Sequence, residues 1–268
     1  MEEHKEADEH IASTEPLWTI PVFDVCLDHL PTPSGATVLS AESRCGHVPG
    51  RWAERLPDDT RLIALDPSRQ LLDRARERVD ASKHRRVFFM SQRVAALSYA
   101  DGVFKGAACV HGLTTMTQAV EGIAELARVT DRGGKVVIAA PLASALPEVY
   151  DLFDEAFRIN RLDDQLARFI AARQTFVDGP ALEQAAAERG LRDVGTAQVE
   201  WRLAFDRGGA MIRSALLRET FFPHWMGAIS PPSRDPILRA LARAIDTYFV
   251  DEPFTTTMRA VVLWGQRA

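Results

Sequence analysis

Residues 61–79, RLIALDPSRQLLDRARERV, carry the pattern that decides the fold. The apolar run Arg61–Leu65 is short and continuous, as expected for a strand that is buried on both faces. Asp66 and Pro67 end this run, and apolar residues then recur at helical spacing at Leu71, Leu72, Ala75 and Val79. The segment predicts a strand followed at once by a helix, with Pro67 at a first helical position.

The same alternation continues on both sides of this unit. Short apolar runs predict further strands at 37–39, 87–90 and 106–110, and the clearest buried strand is 135–141. Helical patterns lie between them, and helices with two more strand-like runs follow toward the C-terminus. Continuous apolar strands that alternate with helices indicate a parallel sheet covered on both faces. The predicted fold class is therefore α/β, with a central sheet between two layers of helices.

Composition and charge narrow the class of protein. The chain has 268 residues, 46% of them hydrophobic and 26% charged, which suits one globular domain. The net charge of -5 and the lack of a Lys/Arg block argue against nucleic-acid binding. No apolar run reaches the roughly 20 residues of a membrane span. The polar, acidic start is unlike a targeting peptide, so we expect residues 1–15 to be a flexible, solvated tail.

Motifs for several common chemistries are missing. Three scattered cysteines (Cys26, Cys45 and Cys109) indicate free thiols in a reducing compartment, and the predicted location is the cytoplasm. Neither they nor the histidines, including His4 and His10 of the tail, have metal-ligand spacing, so no metal site is predicted. A phosphate-binding loop, a dinucleotide-binding glycine pattern and a nucleophile elbow are also absent, which makes a dehydrogenase the least favoured enzyme.

Two stretches are similar to one known family. Residues 62–76 (LIALDPSRQLLDRAR) and 125–138 (ELARVTDRGGKVVI) resemble the class I S-adenosylmethionine (SAM)-dependent methyltransferases, in particular the small-molecule type related to ubiquinone-biosynthesis enzymes. The resemblance is good over roughly 36–141. It implies a three-layer, Rossmann-like fold with a seven-stranded, mostly parallel sheet whose last strand is antiparallel, and with SAM across the carboxyl ends of the first strands. Residues 16–268 would then form one domain, with a cofactor-site half at 36–141 and lid-side helices and last strands at 142–268.

The resemblance also implies where SAM would bind, and most of those positions are substituted. The family's acidic-x-Gly-x-Gly-x-Gly pattern corresponds to Ser40-Ala-Glu42-Ser-Arg44-Cys-Gly46, in which Gly46 alone is kept. Glycines are needed there because a side chain would take up the ligand's volume. A Glu42–Arg44 pair could also form a surface ion pair of little energetic worth.

Three further positions complete the comparison. Asp66 matches the carboxylate that holds the ribose hydroxyls, and it could equally be a helix N-cap. Arg93 stands where the family has the acidic residue that holds the adenine amino group. Lys105 stands at another aspartate position, so both charges are inverted.

The substitutions leave three hypotheses. The leading one is a non-catalytic pseudo-methyltransferase that needs no cofactor and acts by binding a protein partner. The second is an active SAM-dependent enzyme on a small molecule, with Asp66 on the ribose, Gly46 giving close approach and His111 as a general base. The third is a pocket that has come to prefer an anionic ligand through Arg44, Arg93 and Lys105. The aromatic cluster at 221–226 (FFPHWM) is interpreted as core.

Overall fold

The sheet has seven strands, as the resemblance implied. The computed structural model describes residues 5–81 and 86–268, so the first four residues of the predicted tail, with His4, lie outside it. The strands are β1 (Thr37–Ala41), β2 (Arg61–Leu65), β3 (Val87–Met90), β4 (Phe104–Cys109), β5 (Thr130–Pro141), β6 (Leu191–Phe205) and β7 (Phe254–Arg267). Their order is β3-β2-β1-β4-β5-β7-β6. β7 pairs antiparallel with β5 and β6, and the pairs among β1–β5 are parallel.

Helices cover both faces of this sheet. They are α1 (Lys5–Glu9), α2 (Ile20–Leu27), α3 (His47–Ala53), α4 (Arg69–Ala81), α5 (Met116–Val129), α6 (Pro147–Ile159), α7 (Asp163–Arg173), α8 (Gly179–Glu188), α9 (Gly208–Arg213), α10 (Phe222–Ala228) and α11 (Pro231–Tyr248). Two π-helical turns, His10–Thr19 and Leu217–Phe221, join α1 to α2 and precede α10. The three-layer α/β prediction is confirmed. Because the carboxyl ends of β1, β2 and β4 meet at one edge, the loops after them can form one site.

The expectation of a flexible tail is wrong for residues 5–15. They are helical and belong to one continuous N-terminal helical segment, residues 5–27. His10, Thr14 and Glu15 are buried in it. The acidic residues that suggested solvation have arginine partners far along the chain: both Glu15 oxygens accept from Arg78 Nη1, at 2.6 and 2.8 Å. Local composition could not reveal these ion pairs, because both arginine and glutamate look solvent-exposed when read alone.

The aromatic cluster near residue 221 is core, as predicted. Phe221 and Trp225 are fully buried and lie 5.1 Å apart, centroid to centroid. Trp225 also contacts Tyr150 and Phe153 of α6 and Phe169 of α7. The helices of the C-terminal half are thus held together by edge-to-face ring packing, which fixes the π-helical turn Leu217–Phe221 over the sheet edge.

The three cysteines lie inside the fold. Cys26, Cys45 and Cys109 are all free and buried. Within residues 5–81 and 86–268, no helix has the length and apolar character needed to cross a membrane. The compartment remains a prediction.

Candidate functional site

A cavity of about 390 Å³ lies at the carboxyl ends of the central strands. The cavity is lined by the loops after β1, β2, β3 and β4, the end of β5, the start of α5, the N-terminal helical segment, the π-helical turn Leu217–Phe221 and the start of α10. The polar lining residues are Thr14, Glu42, Arg44, Arg93, His111, Thr114, Gln118, Glu121, Glu219, Thr220 and His224. Trp18, Val94, Val110 and Leu113 supply much of the apolar lining. This is the edge where ligands bind in open α/β sheets.

The loop after β1 has a left-handed backbone at three positions, of which one is still a glycine. Glu42, Arg44 and Gly46, the three positions of the family's glycines, have φ of +49°, +49° and +84°. A residue with a Cβ pays about 1–2 kcal/mol for this left-handed conformation. The backbone therefore keeps a conformation that glycine adopts without strain, while two side chains now project from it.

Glu42 crosses the cleft at the first of these positions. Its Oε1 accepts a hydrogen bond of 3.1 Å from the N–H of Val94, in the loop after β3. Its side chain also lies against Gly112, after β4, where an added Cβ would come within 2.9 Å of Glu42 Cγ. Burial raises the pKa of Glu42, although the Val94 N–H opposes the shift and nearby Asp66 adds to it. Glu42 thus joins three loops across the cleft.

Arg44 does not pair with Glu42 as the sequence suggested it could. Its nearest carboxylate is Glu219, with Nη2 and Oε2 4.0 Å apart. Arg44 Nε and the hydroxyl of Thr14 are buried, and neither has a hydrogen-bond partner among the described residues. Both residues line the cavity. Buried polar atoms without a partner are uncommon in proteins, so a polar ligand group would satisfy them.

Asp66 links the loop after β1 to the loop after β2 through its carboxylate. It is fully buried, and its two oxygens accept from the backbone N–H groups of Arg44 and Ser68, both at 2.9 Å. Burial raises its pKa, and the Arg44 guanidinium opposes that shift. Asp66 does not line the cavity. The helix that follows begins at Arg69, so Pro67 precedes it rather than occupying a first helical position, because the turn closed by Asp66 extends to Ser68.

Gly46 and Ser40 also face away from the cavity. A Cβ on Gly46 would lie 3.0 Å from the Cα and Cβ of Ala75, so this glycine permits α3 and α4 to pack closely. Ser40 is fully buried, and its hydroxyl accepts from that of Ser43 at 3.1 Å. Both residues shape the loop from within the fold.

His111 lies in the cavity wall directly after β4. A hydrogen bond of 3.1 Å joins its Nε2 to the hydroxyl of Thr19. Burial, reinforced by the nearby His10 and Arg44, lowers the pKa of His111 well below its usual range. Cys109, two residues earlier, donates to the His111 carbonyl at 3.0 Å, and burial raises its thiol pKa. Burial therefore favours the uncharged forms of the His111 imidazole and the Cys109 thiol.

The three cations of the anionic-ligand hypothesis do not meet. Arg93 is exposed and lines the cavity with Arg44. Lys105 stands at the amino end of β4, at the opposite edge of the sheet, where it pairs with Asp131. The expected convergence is wrong for Lys105, because only the carboxyl end of that strand reaches the cleft. Three glutamates (Glu42, Glu121 and Glu219) also line the cavity, so its charges do not favour an anion.

The sequence analysis missed the part of the cavity wall that residues 14–18 and 219–224 form, which we call its roof. Thr14 comes from the segment expected to be a tail, and Trp18 lies three residues beyond its end, where Trp18 Nε1 donates to the Val110 carbonyl at 3.0 Å. Glu219 and His224 come from the far end of the chain. Trp18 gave the one local signal, since a tryptophan is unusual next to a solvated tail. In the described part of the chain, no group of three or more His, Cys, Asp or Glu side chains could hold a metal.

Comparisons with known proteins agree with the family resemblance seen in the sequence. Residues 44–134 match a family model described as a methyltransferase domain. Over 117 residues the chain is 26% identical to the ubiquinone/menaquinone biosynthesis C-methyltransferase of Citrifermentans bemidjiense. The matched stretch covers 43% of this chain and 50% of that protein. The match thus spans about half the length of this curated relative.

Solved structures extend the similarity to most of the chain. The YcgJ protein of Bacillus subtilis has a TM-score of 0.57 at 14% identity, with coverage of 91% of this chain and 97% of that one. A [4+2]-cyclase, SpnF, has a TM-score of 0.53 at 13% identity, with coverage of 92% and 81%. At these identities the likeness concerns the fold. Residues 44–134 thus match a methyltransferase domain, and the fold of the chain is similar to that of solved structures such as YcgJ.

Proposed function

We propose that this chain is a non-catalytic methyltransferase-fold protein, which does not use SAM in the family's manner and acts by binding a protein partner. One observation carries the loss of SAM: the Glu42 side chain lies across the cleft, bound to the Val94 N–H and packed on Gly112. The resemblance puts bare glycine backbone at that point. A fold by itself does not fix a reaction, so the side chains of the cleft decide the function.

The residues present do not fit SAM in the arrangement that the resemblance implies. That arrangement needs a free carboxylate at Asp66, whose two oxygens already accept backbone N–H groups. It needs an acidic residue where Arg93 stands, and open volume where Glu42 and Arg44 project. A guanidinium at about 4–6 Å from a sulfonium would cost on the order of 3–4 kcal/mol at an effective dielectric near 20. We therefore derive no methyl-transfer step for this cleft.

The second candidate is an active SAM-dependent methyltransferase with a divergent cofactor site. The remaining cavity of about 390 Å³ favours it, as does the left-handed backbone kept at all three glycine positions. Its relative from Citrifermentans bemidjiense is named as a C-methyltransferase. In this case the Glu42 side chain would have to leave the cleft before a cofactor could enter.

Thermal unfolding of the full chain with SAM or S-adenosylhomocysteine separates the two candidates. A ligand at about 100 times its dissociation constant stabilises a protein by about 2.7 kcal/mol. For a chain of this size that is a rise in Tm of about 5–10 °C. We expect no shift with either compound at 1 mM. A SAM-binding methyltransferase run in parallel is the control, and a clear shift of this chain would instead establish the second candidate.

A further inference from the structure

A groove between α6 and α11, remote from the cleft, carries unusual exposed apolar surface. Among the exposed large hydrophobic side chains in the described residues, the three with the greatest exposure are Val250 (76%), Ile159 (68%) and Tyr248 (61%). Ile159 and Tyr248 both line a cavity of about 440 Å³ here, and Val250 follows Tyr248 by two residues. Apolar groups gathered on one surface mark interaction sites more often than scattered ones do.

The floor of this groove is formed by Pro236 and two alanines of α11. Pro236, Ala240 and Ala244 line it and are four residues apart on α11, so they lie on one face of that helix. Ala240 and Ala244 are only partly buried. Small side chains let another backbone approach closely. A groove between two helices, with an apolar floor, matches the way an amphipathic helix is bound.

The rim of the groove is basic and has no partner. Arg239 and Arg243 line it, are exposed, and make no ion pair or hydrogen bond with the described residues. The single carboxylate in the lining, Glu155, accepts from the Tyr248 hydroxyl at 3.0 Å. The chain as a whole carries a net charge of -5, so this rim is opposite in sign to the rest of the protein.

We propose that this groove binds an acidic amphipathic helix of a partner protein, with apolar residues on Ile159, Ala240 and Ala244 and carboxylates on Arg239 and Arg243. The two arginines select negative charge, and the apolar floor selects a helix face. A second copy fits less well, because a two-fold contact would bring the same arginines of both copies together. An anionic membrane surface also fits less well. Such a surface attracts clusters of four to eight basic residues, whereas this rim has two arginines on a chain whose net charge of -5 the membrane would repel.

A displayed library of random 16-residue peptides, sorted on the full chain, tests this proposal. We expect the enriched peptides to carry apolar residues four apart with two or more Asp or Glu beside them. Synthetic copies should bind at least tenfold more weakly to the double variant Arg239→Glu/Arg243→Glu and to Ile159→Glu. These positions are exposed, so the Tm of each variant should match that of the original chain. Val103→Glu, an exposed site outside this groove, is the matched control and should bind normally.

Other results would overturn the proposal. Enriched peptides without acidic residues, or binding unaffected by these variants, would contradict an acidic helix in the groove. Sedimentation velocity that shows a dimer lost in Ile159→Glu would make the occupant a second copy. Arginine-dependent binding to phosphatidylserine vesicles without peptide binding would make it a lipid surface. None of these readouts involves SAM, so their outcome is independent of the thermal-shift result for the cleft.

Discussion

Replacing Glu42 with glycine should increase the affinity of the chain for SAM by on the order of a hundredfold, close to 3 kcal/mol of binding free energy. The change removes the side chain that crosses from β1 to Val94 and Gly112. It also suits the backbone, because φ at this position is +49° and glycine adopts this conformation without strain. Isothermal titration calorimetry with SAM measures the gain. The double variant Glu42→Gly/Arg44→Gly should bind more tightly still, since it also removes a repelling guanidinium.

Glu42→Ala is the matched control, because it removes the carboxylate but keeps a Cβ in the left-handed region. It loses the Val94 hydrogen bond, worth about 1 kcal/mol, with no relief of backbone strain. Glu42→Gly loses the same bond and recovers about 1–2 kcal/mol of strain, so it should be the more stable of the two. If both glycine variants unfold cooperatively and still fail to bind SAM, then Glu42 is not what closes the cleft to the cofactor.

Replacing Glu148 with glutamine should lower the free energy of unfolding by about 2–3 kcal/mol at pH 7. Glu148 lies in the first turn of α6 and links this helix to β7 and β6. Its carboxylate accepts from the Thr257 N–H and hydroxyl at 2.8 Å each, the Thr256 hydroxyl at 2.9 Å and Arg202 Nη1 at 3.0 Å. An amide keeps one accepting oxygen and turns an NH₂ toward the remaining donors. A third of the side chain is exposed to solvent, which limits the loss to this range.

The effect of this substitution should depend on pH in a defined direction. Partial burial of Glu148 opposes ionisation, but hydrogen bonds from Thr257 and Thr256 outweigh it and lower the pKa from 4.5 to about 2. A lowered folded-state pKa gives stability that is fully present above the unfolded value and is lost as the pH falls toward the folded value. The difference between the original chain and the variant should therefore shrink between about pH 4.5 and pH 2.

Urea unfolding at pH 7, 5, 4 and 3.5 measures this difference. Glu155→Gln, on the same helix, is the control: Glu155 is partly buried and accepts a hydrogen bond from the Tyr248 hydroxyl. It should change the free energy of unfolding by less than about 1 kcal/mol. A constant difference for Glu148→Gln across the pH range would show that the loss arises from packing rather than from the carboxylate charge.

The strands and helices could be predicted from the sequence because they depend on local periodicity. The continuous apolar run Arg61–Leu65 predicted β2 with the bounds that the structure gives it. The seven-stranded topology came from the resemblance of 62–76 and 125–138 to a family, and the strand order confirms it. Gly46 and Asp66 were placed in the right loops for the same reason.

The roles of individual residues in these loops depend on neighbours in space that no local sequence pattern specifies. Asp66 could cap a helix or hold a ligand, and its bonds to Arg44 and Ser68 are those of a structural carboxylate. Lys105 was grouped with Arg93 by alignment, yet the direction of β4 carries it to the opposite sheet edge. The supposed tail became the roof of the cavity, because its acidic residues meet arginines more than 60 positions away.

By itself, then, the sequence determined the α/β class, the strands around Asp66 and the loss of two glycines after β1, since periodicity and residue identity are local properties. The tertiary structure alone decided what those losses mean. Only in three dimensions does Glu42 reach Val94, 52 residues away, and Thr14 of the N-terminal segment face Glu219 of the C-terminal half across one cavity. Burial, hydrogen-bond partners and cavity shape are set by residues far apart in the chain, and the identity of a residue does not contain them.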